Sequence, residues 1–337
     1  MSGRDAEAVA TVSRDAGIAE WTTDWRQVVE RRDVEVVDIC TPPGTHAEIA
    51  RAAAAAGKAV ICEKPLATSY ADAAAARDAV RSAGVLNAVG FNYRRLPALA
   101  LMAEMIERGE LGEVRLWRGT WLSDEFVDPD VPFDWRFDAR LGGTTIADLG
   151  SHLVDLATWM IGGVVDVCAS SSTFVRERAS ANGPRAVEID DASSSLLRFA
   201  SGAHGTMEVA RVAPRRPCDF VVEVNGSTGT AMFSYNRLNE LWFASLDDDP
   251  RLYGLRRVRA EHPSHPQTTG WWPIGQGVGY DASFINQVIG LATVWPDGPW
   301  DPGFDQGARV AAVCESMERS VRERRWVDVG EVTGDAG

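Results

Sequence analysis

The sequence predicts an α/β fold in two parts, a doubly wound parallel sheet followed by an α+β domain with a large, mostly antiparallel sheet. Up to about residue 92, short apolar strands alternate with Ala-rich helical segments, the pattern of parallel strands joined by helical crossovers. Between residues 164 and 243, strand-like segments follow one another with only turns between them, which is typical of antiparallel pairing. A chain of 337 residues is long enough for two domains, which we place at residues 1–92 and 93–337.

The first domain is predicted to begin with a helix and then to alternate strands with helices. Its strands are short, apolar and rich in β-branched residues, and they lie at residues 34–40, 59–62 and 85–89. Its helices are rich in Ala and lie at residues 6–16, 45–56 and 69–83. Ser69 and Asp72 form a capping box, and Gly57 and Gly84 follow two of the helix ends. This alternation predicts helices on both faces of a parallel sheet.

The second domain is predicted to join a few helices to a meandering sheet. The predicted helices lie at residues 97–108, from about Asp148 to Met160, 281–292 and 306–324. The predicted strands lie at residues 113–121, 165–176, 191–199, 203–211, 220–225 and 229–234. An irregular loop rich in Asp and Pro spans residues 123–138. Hairpin signals near Asn225-Gly226 support antiparallel pairing in this half.

The start of the chain departs from a doubly wound nucleotide-binding domain, which normally opens with a strand, a glycine-rich turn, a helix and a second strand. Here Met1 is followed at once by Ser2-Gly3-Arg4-Asp5 and a helix, and no G-x-G-x-x-G precedes residue 40. We therefore expect about 30 residues to be missing. Either the start of the protein is wrongly placed, or the chain is shortened and does not bind nucleotide normally. The strand edges that a shortened sheet would expose favour the first explanation.

Composition excludes several classes of function. The net charge of −14 without a long basic block argues against nucleic acid or an anionic membrane as partner. The sequence contains no run of about 18 apolar residues, so no membrane span is predicted. The polar segment Met1–Ala10 lacks the apolar core of a secretion signal, so a cytoplasmic location is expected. The five cysteines have no metal-binding spacing and are expected to be reduced, buried thiols. No other set of ligating residues predicts a metal site.

Three side chains have the chemistry needed to move a proton and a hydride. Lys64 follows a predicted strand and precedes Pro65, at the carboxyl edge of the sheet where ligands bind in such folds. Its ammonium group could stabilise a developing alkoxide, although a surface loop Lys is the alternative. His152 could act as a general base, and Asp148 lies one helical turn earlier on the same face. For this Asp–His pair, a purely structural role stays equally open.

Further residues support a site less strongly. Asp155 could be a partner of the His152 imidazole or an acid on the helix surface. His46 could line a cofactor cleft or simply begin a helix. Trp135, beside Arg136 in the Asp/Pro-rich loop, could stack on a sugar ring or anchor the loop. The pair Gly142-Gly143 indicates close approach of the backbone just before the helix of Asp148.

These residues stand in motifs that resemble the glucose-fructose oxidoreductase/inositol dehydrogenase family across essentially the whole chain. The motifs are Cys40-Thr-Pro-Pro-Gly-Thr-His46, Glu63-Lys-Pro65, Gly90-Phe-Asn-Tyr-Arg94 and Asp148-x-Gly-x-His152-x-x-Asp155. Within the family, the chain is similar to the levoglucosan dehydrogenase-like branch. That similarity rests on Val127–Arg136, Asn239-Glu-Leu241, Gly270-Trp-Trp-Pro273 and Gly279-Tyr280.

The resemblance implies an N-terminal Rossmann domain, a catalytic trio of Lys64, Asp148 and His152, and an oligomer formed through the open sheet, either a dimer or a tetramer. It implies NAD or NADP as cofactor, with Arg4 near the adenine ribose permitting NADP. The residues expected to bind the cofactor are Arg4, Cys40, Thr41, Pro42, His46, Glu63, Lys64, Asn92, Trp135, Arg136 and Tyr280. The segment Gly142-Gly143-Thr144-Thr145 replaces the Gly-Ser-Gly common in the branch, which is expected to alter the sugar pocket.

The sequence is therefore interpreted as an NAD(P)-dependent dehydrogenase that oxidises a secondary hydroxyl of a sugar or cyclic polyol. Two other hypotheses remain open at this point. One is a non-catalytic binding or sensing protein that lacks normal cofactor binding, which the absent glycine turn favours and the intact trio opposes. The other is redox-assisted glycoside cleavage, which uses the same residues and differs only in its product.

Overall fold

A computed structural model of the chain describes residues 1–296 and 298–334. The chain divides into two compact units. The first comprises Met1–Gly90, Arg140–Gly142 and Val294–Ala311, and the second comprises the remaining described residues. The return of a late segment to the first unit is not indicated by the sequence. No helix in the described ranges is both long and apolar enough to cross a bilayer.

The first unit contains a three-stranded parallel sheet in the order β1-β2-β3. Its strands are β1 (Val36–Ile39), β2 (Ala59–Cys62) and β3 (Asn87–Val89). Its helices are α1 (Ala6–Asp15), α2 (Trp25–Val29), α3 (His46–Ala55) and α4 (Tyr70–Ala83). The strand ends are in register, with Ile39 opposite Cys62 and Cys62 opposite Val89. The loops that follow β1 and β2 therefore lie side by side at one edge of the sheet.

Small side chains and caps explain why these helices form and pack. The Ala residues of α3 and α4 that face inward, such as Ala53 and Ala76, are fully buried. Ser69 caps α4 by accepting a hydrogen bond from the backbone N–H of Asp72, as the capping box predicts. Gly84 ends the same helix with a φ of 64°, a conformation that glycine adopts without strain.

The chain continues into α5 (Pro97–Glu107), β4 (Val114–Leu122), α6 (Ser151–Met160) and β5 (Val164–Ser172). Next come β6 (Glu177–Arg178), β7 (Arg185–Ala186), β8 (Ala192–Phe199), β9 (His204–Ala210), β10 (Asp219–Gly226) and β11 (Gly229–Ser234). The last elements are β12 (Glu240–Ser245), β13 (Arg256–Arg259), α7 (Asp281–Val294), α8 (Phe304–Glu323), β14 (Val327–Asp328) and α9 (Gly330–Thr333).

The second unit is built on a nine-stranded sheet in the order β13-β12-β11-β10-β4-β9-β8-β5-β14. Strands β4 and β9 pair in parallel, and the other neighbours pair antiparallel. This confirms the large, mostly antiparallel sheet predicted for this half. One face of the sheet is packed by buried side chains such as Trp117, Leu197 and Val222. Strands β12, β13 and β14 were not predicted, since β13 is mostly Arg and β14 has only two residues.

The predicted burial of all five thiols is wrong. Cys62 and Cys314 are buried, whereas Cys40 is exposed and Cys168 and Cys218 are partly exposed. Cys40 lies one residue beyond the end of β1, so its side chain is outside the buried part of the sheet. All five cysteines are free thiols.

Candidate active site

The first unit presents two polar loops at the carboxyl edge of its sheet. Thr41 and Pro42 follow β1, and Glu63 and Lys64 follow β2. The backbone N–H of Glu63 donates to the carbonyl oxygen of Ile39 at 2.9 Å, which continues the strand pairing into the loop. The sheet register thus brings together residues that are more than 20 positions apart in sequence.

His46 holds these two loops to each other. Its side chain is fully buried. Its Nδ1 lies 2.8 Å from the carbonyl oxygen of Pro65, and its Nε2 lies 2.6 Å from that of Thr41. Because both ring nitrogens contact backbone carbonyls, the ring joins the two loops, and His46 is also the first residue of α3.

The Glu63 carboxylate lies against Gly90, the residue that follows β3. A side-chain carbon at position 90 would stand 3.1 Å from both carboxylate oxygens, so glycine makes room for Glu63. The backbone N–H of Lys64 donates to Glu63 Oε2 at 3.2 Å. Burial raises the pKa of the Glu63 carboxyl, and the positive charge of Lys64 opposes that rise.

This edge fits the nicotinamide end of a dinucleotide. It presents the Glu63 carboxylate, the Lys64 ammonium and the threonine hydroxyl of the first loop at the place where doubly wound sheets bind nucleotides. No G-x-G-x-x-G stands between Met1 and β1 in the sequence. Arg4, expected near the adenine ribose, is exposed just before α1.

In the second unit, Asp148 lies in a π-helical turn, Ile146–Gly150, that leads into α6. Such turns are often found at functional sites because they redirect side chains from the regular helical spacing. Gly143 precedes the turn, and a side-chain carbon there would lie 1.9 Å from the carbonyl oxygen of Arg136. The structure therefore confirms, at Gly143, the close approach of the backbone that the pair Gly142-Gly143 predicted.

His152 lies in the first turn of α6 and is almost fully buried. Aromatic rings surround its imidazole, with centroid distances of 4.8 Å to Tyr93, 5.4 Å to Trp121 and 6.2 Å to Phe91. These rings restrict the orientation of the imidazole and exclude water from its sides. Sequence reasoning did not identify them, although Phe91 and Tyr93 belong to the Gly90–Arg94 motif.

Asp155 is paired with an arginine in the structure. It is buried and accepts two hydrogen bonds from Arg94, from Nε at 2.8 Å and from Nη2 at 2.6 Å. A helix-surface acid is excluded because α6 is buried along nearly its whole length. The bidentate pair fixes α6 to the segment that follows Gly90.

Asn92 and Tyr280, two of the expected cofactor-binding residues, contact each other. The buried Asn92 amide donates to the Tyr280 hydroxyl at 3.0 Å and to the Ser283 hydroxyl at 2.8 Å. Trp135 and Arg136 contact each other, with the Arg136 guanidinium 4.3 Å from the centre of the Trp135 ring. One face of that indole is thus covered by its neighbour.

Buried charged residues near Asp148 were also missed by sequence reasoning. Arg211 is fully buried, and its Nη1 lies 3.8 Å from Asp148 Oδ2. Asp190 accepts a hydrogen bond from the backbone N–H of Thr145 at 2.8 Å. Both partners are at least 40 positions from the π turn, so no local sequence pattern predicts them. In residues 1–296 and 298–334, no cluster of three or more His, Cys, Asp or Glu could hold a metal ion.

Comparison with known proteins identifies the family of this chain. Residues 1–91 match the model of an oxidoreductase family with an NAD-binding Rossmann fold, and residues 99–232 match the GFO/IDH/MocA C-terminal domain. Levoglucosan dehydrogenase from Pseudarthrobacter phenanthrenivorans is 36% identical, over 97% of this chain and 88% of that protein. The chain belongs to the GFO/IDH/MocA oxidoreductase family. This confirms the resemblance in the sequence motifs and the Rossmann-type first half.

Other similar proteins are also named as dehydrogenases or oxidoreductases. scyllo-Inositol 2-dehydrogenase (NAD⁺) from Bacillus subtilis is 31% identical over 83% of this chain and 80% of its own length. A solved levoglucosan dehydrogenase complex with NADH and levoglucosan has a TM-score of 0.93 and 37% identity, covering 97% of this chain and 88% of that one. An oxidoreductase domain protein from Kribbella flavida also reaches a TM-score of 0.93, with 40% identity over 97% and 89% of the two chains.

Proposed function

We propose that this protein is an NAD(P)-dependent dehydrogenase that oxidises a secondary hydroxyl of a sugar or cyclic polyol. The observation that carries the proposal is the placement of Lys64 at the carboxyl edge of a family Rossmann sheet, together with Asp148 and His152 at the π turn and the first turn of α6. Relatives named as levoglucosan, inositol and apiose dehydrogenases support the substrate class.

In the proposed reaction, His152 takes the proton of the substrate hydroxyl as general base. The Lys64 ammonium donates a hydrogen bond to the same oxygen and stabilises the alkoxide that forms. The Asp148 carboxylate accepts a hydrogen bond from a neighbouring hydroxyl and orients the ring. When bound, NAD or NADP supplies the hydride acceptor. The roles of Thr41, Pro42 and Glu63 in holding that cofactor are part of the same proposal, as are those of Asn92 and Tyr280.

Removal of the Lys64 ammonium tests this proposal. The chain contains only two lysines, Lys58 and Lys64, so Lys58→Ala is a matched control. We expect Lys64→Ala to lower kcat at least about 100-fold, the usual scale for losing one stabilising donor, with unchanged thermal unfolding. The assay follows NADH or NADPH formation with levoglucosan, myo-inositol, scyllo-inositol and D-apiose. Near-normal turnover by Lys64→Ala would refute the assignment.

We also propose that the protein acts in the cytoplasm as a homo-oligomer, a dimer or tetramer. In support, the outer face of the nine-stranded sheet exposes Leu116 and Leu196, which are 42% and 48% accessible. Free thiols at all five cysteines suit a reducing compartment. Light scattering of the purified protein tests the assembly, because a particle of 36.5 kDa would be a monomer and would contradict it.

A further inference from the structure

A buried guanidinium next to the π turn has no part in the reaction proposed above. Arg211 directly follows β9, and its side chain is completely inaccessible. A charged side chain is rarely buried without a specific partner, because taking it out of water is costly. The contacts of Arg211 therefore indicate its role in the protein.

One nitrogen of Arg211 holds the backbone that starts the π turn. Its Nη2 donates to the carbonyl oxygen of Gly143 at 2.7 Å and to that of Asp190 at 3.1 Å. Asp190 in turn accepts from Thr145, through the backbone N–H and through the hydroxyl, both at 2.8 Å. Arg211 and Asp190 thus clamp the segment 143–145 from two sides.

The other terminal nitrogen faces the Asp148 carboxylate. Nη1 is buried and, in the described part of the chain, has no hydrogen-bond acceptor, while its ion-pair partner is Asp148 Oδ2 at 3.8 Å. The Asp148 side chain is itself 22% accessible, so it borders open space. Glu125 lies within electrostatic reach of Asp148 and also of Asp134, Arg136 and Arg211, and Arg211 is within reach of Asp190 as well.

We propose that Arg211 is a positioning residue of the dehydrogenase. It fixes the start of the π turn and holds Asp148 as an oriented carboxylate that can accept a substrate hydroxyl. This inference rests on the proposed function, since it gives Asp148 a task in the reaction. The planar fork of Arg suits a group that must serve two carbonyls and a carboxylate at once, which the single ammonium of Lys cannot do.

The test compares R211M, which removes the charge at similar length, with R211K, which keeps it. Arg115→Met, an exposed arginine on β4, is the control. The measurements are kcat/KM against pH for the sugar that the wild type oxidises fastest, and the dissociation constant of NADH by titration. For R211M we expect kcat/KM at neutral pH to fall at least about tenfold, and the acid limb of the profile to move to higher pH, because the positive charge beside the Asp148 carboxylate is lost.

R211K is expected to retain the acid limb of the wild-type pH profile, because the positive charge remains. It should lose part of kcat, because the planar guanidinium that reaches several acceptors is gone. NADH binding should stay within about twofold in both variants, because the two residues that accept hydrogen bonds from Arg211, Gly143 and Asp190, belong to the second unit. A fall in activity of R211M with an unmoved acid limb would overturn the proposal, since a purely structural residue behaves in that way.

A second measurement separates this proposal from the proposed function. Thermal unfolding of R211M, D148N and the double variant requires no activity. Coupled residues give non-additive effects, so the loss of Tm in the double variant should be smaller than the sum of the single losses by about 2 °C or more. Additive losses would overturn the coupling of Arg211 to Asp148 even in an active dehydrogenase. Coupling without any turnover would instead count against the proposed function.

Discussion

Glu318 provides a pH-dependent test of the packing behind the π turn. It lies on α8, and its Oε1 accepts a hydrogen bond from the Thr144 hydroxyl at 2.8 Å. Burial raises the pKa of the Glu318 carboxyl to about 7, and the negative charge of Asp190 adds to the rise. The folded protein therefore keeps this group protonated at pH values where the unfolded chain, with an ordinary pKa of 4.5, has already lost the proton.

The sign of the effect follows from this difference in bound protons. Between the two pKa values the native state binds more protons than the unfolded state, so the free energy of unfolding falls as pH rises. Each pH unit in that window costs about 1.4 kcal/mol. Raising the pH from about 5.5 to about 8 crosses roughly 1.5 units of the window, so the wild type should lose about 2 kcal/mol through this one carboxyl.

Glu318→Gln removes the titration and keeps an amide oxygen for the Thr144 hydroxyl. We expect the variant to gain about 2 kcal/mol relative to wild type between pH 5.5 and pH 8, measured as the difference in urea unfolding free energy at the two pH values. Glu107→Gln, at an exposed position on α5, is the control and should show no such difference. An equal stability difference at both pH values would refute the reasoning.

Two further substitutions test the contacts of the site. Asp155→Asn leaves the Arg94 guanidinium buried without its counter-ion and should cost about 3–5 kcal/mol in urea unfolding, whereas Asp78→Asn, at an exposed carboxylate, should leave the unfolding free energy nearly unchanged. Similar costs for both would contradict the buried pair. Gly90→Val should push aside the Glu63 carboxylate, lowering stability by about 1–3 kcal/mol and weakening NADH binding. Unchanged stability and NADH affinity would show that the space at position 90 is not needed.

The fold was largely accessible to sequence reasoning because its signals are local. The strands at residues 59–62 and 229–234 were predicted with the bounds that the structure gives, since each is an apolar run between turn residues. Strand β13 was not predicted, because its sequence Arg-Arg-Val-Arg is typical of a solvent-exposed loop. Its place is set by pairing with β12 at the edge of the sheet, where charged side chains are tolerated.

The site was accessible only in part, because its supporting contacts join distant positions. The motifs pointed to Lys64, Asp148 and His152, whose chemistry is readable from residue type and neighbours. The Arg94 partner of Asp155 was not identified because it is 61 positions away, and the burial of Asp155 was missed because the burial of α6 on nearly all sides is a tertiary property. Arg211 was not identified either, because the residue whose carbonyl it binds, Gly143, is 68 positions away in the sequence.

The central claim, hydride transfer from a sugar or polyol carbon, is tested most directly with a substrate carrying deuterium on its ring carbons. The purified protein is incubated with NAD⁺ and ring-deuterated myo-inositol or levoglucosan, and the reduced cofactor is analysed by mass spectrometry. The account predicts reduced cofactor that is heavier by the difference between deuterium and hydrogen, and none from Lys64→Ala. No reduced cofactor from either substrate with NAD⁺ or NADP⁺, or reduced cofactor without the label, would contradict it.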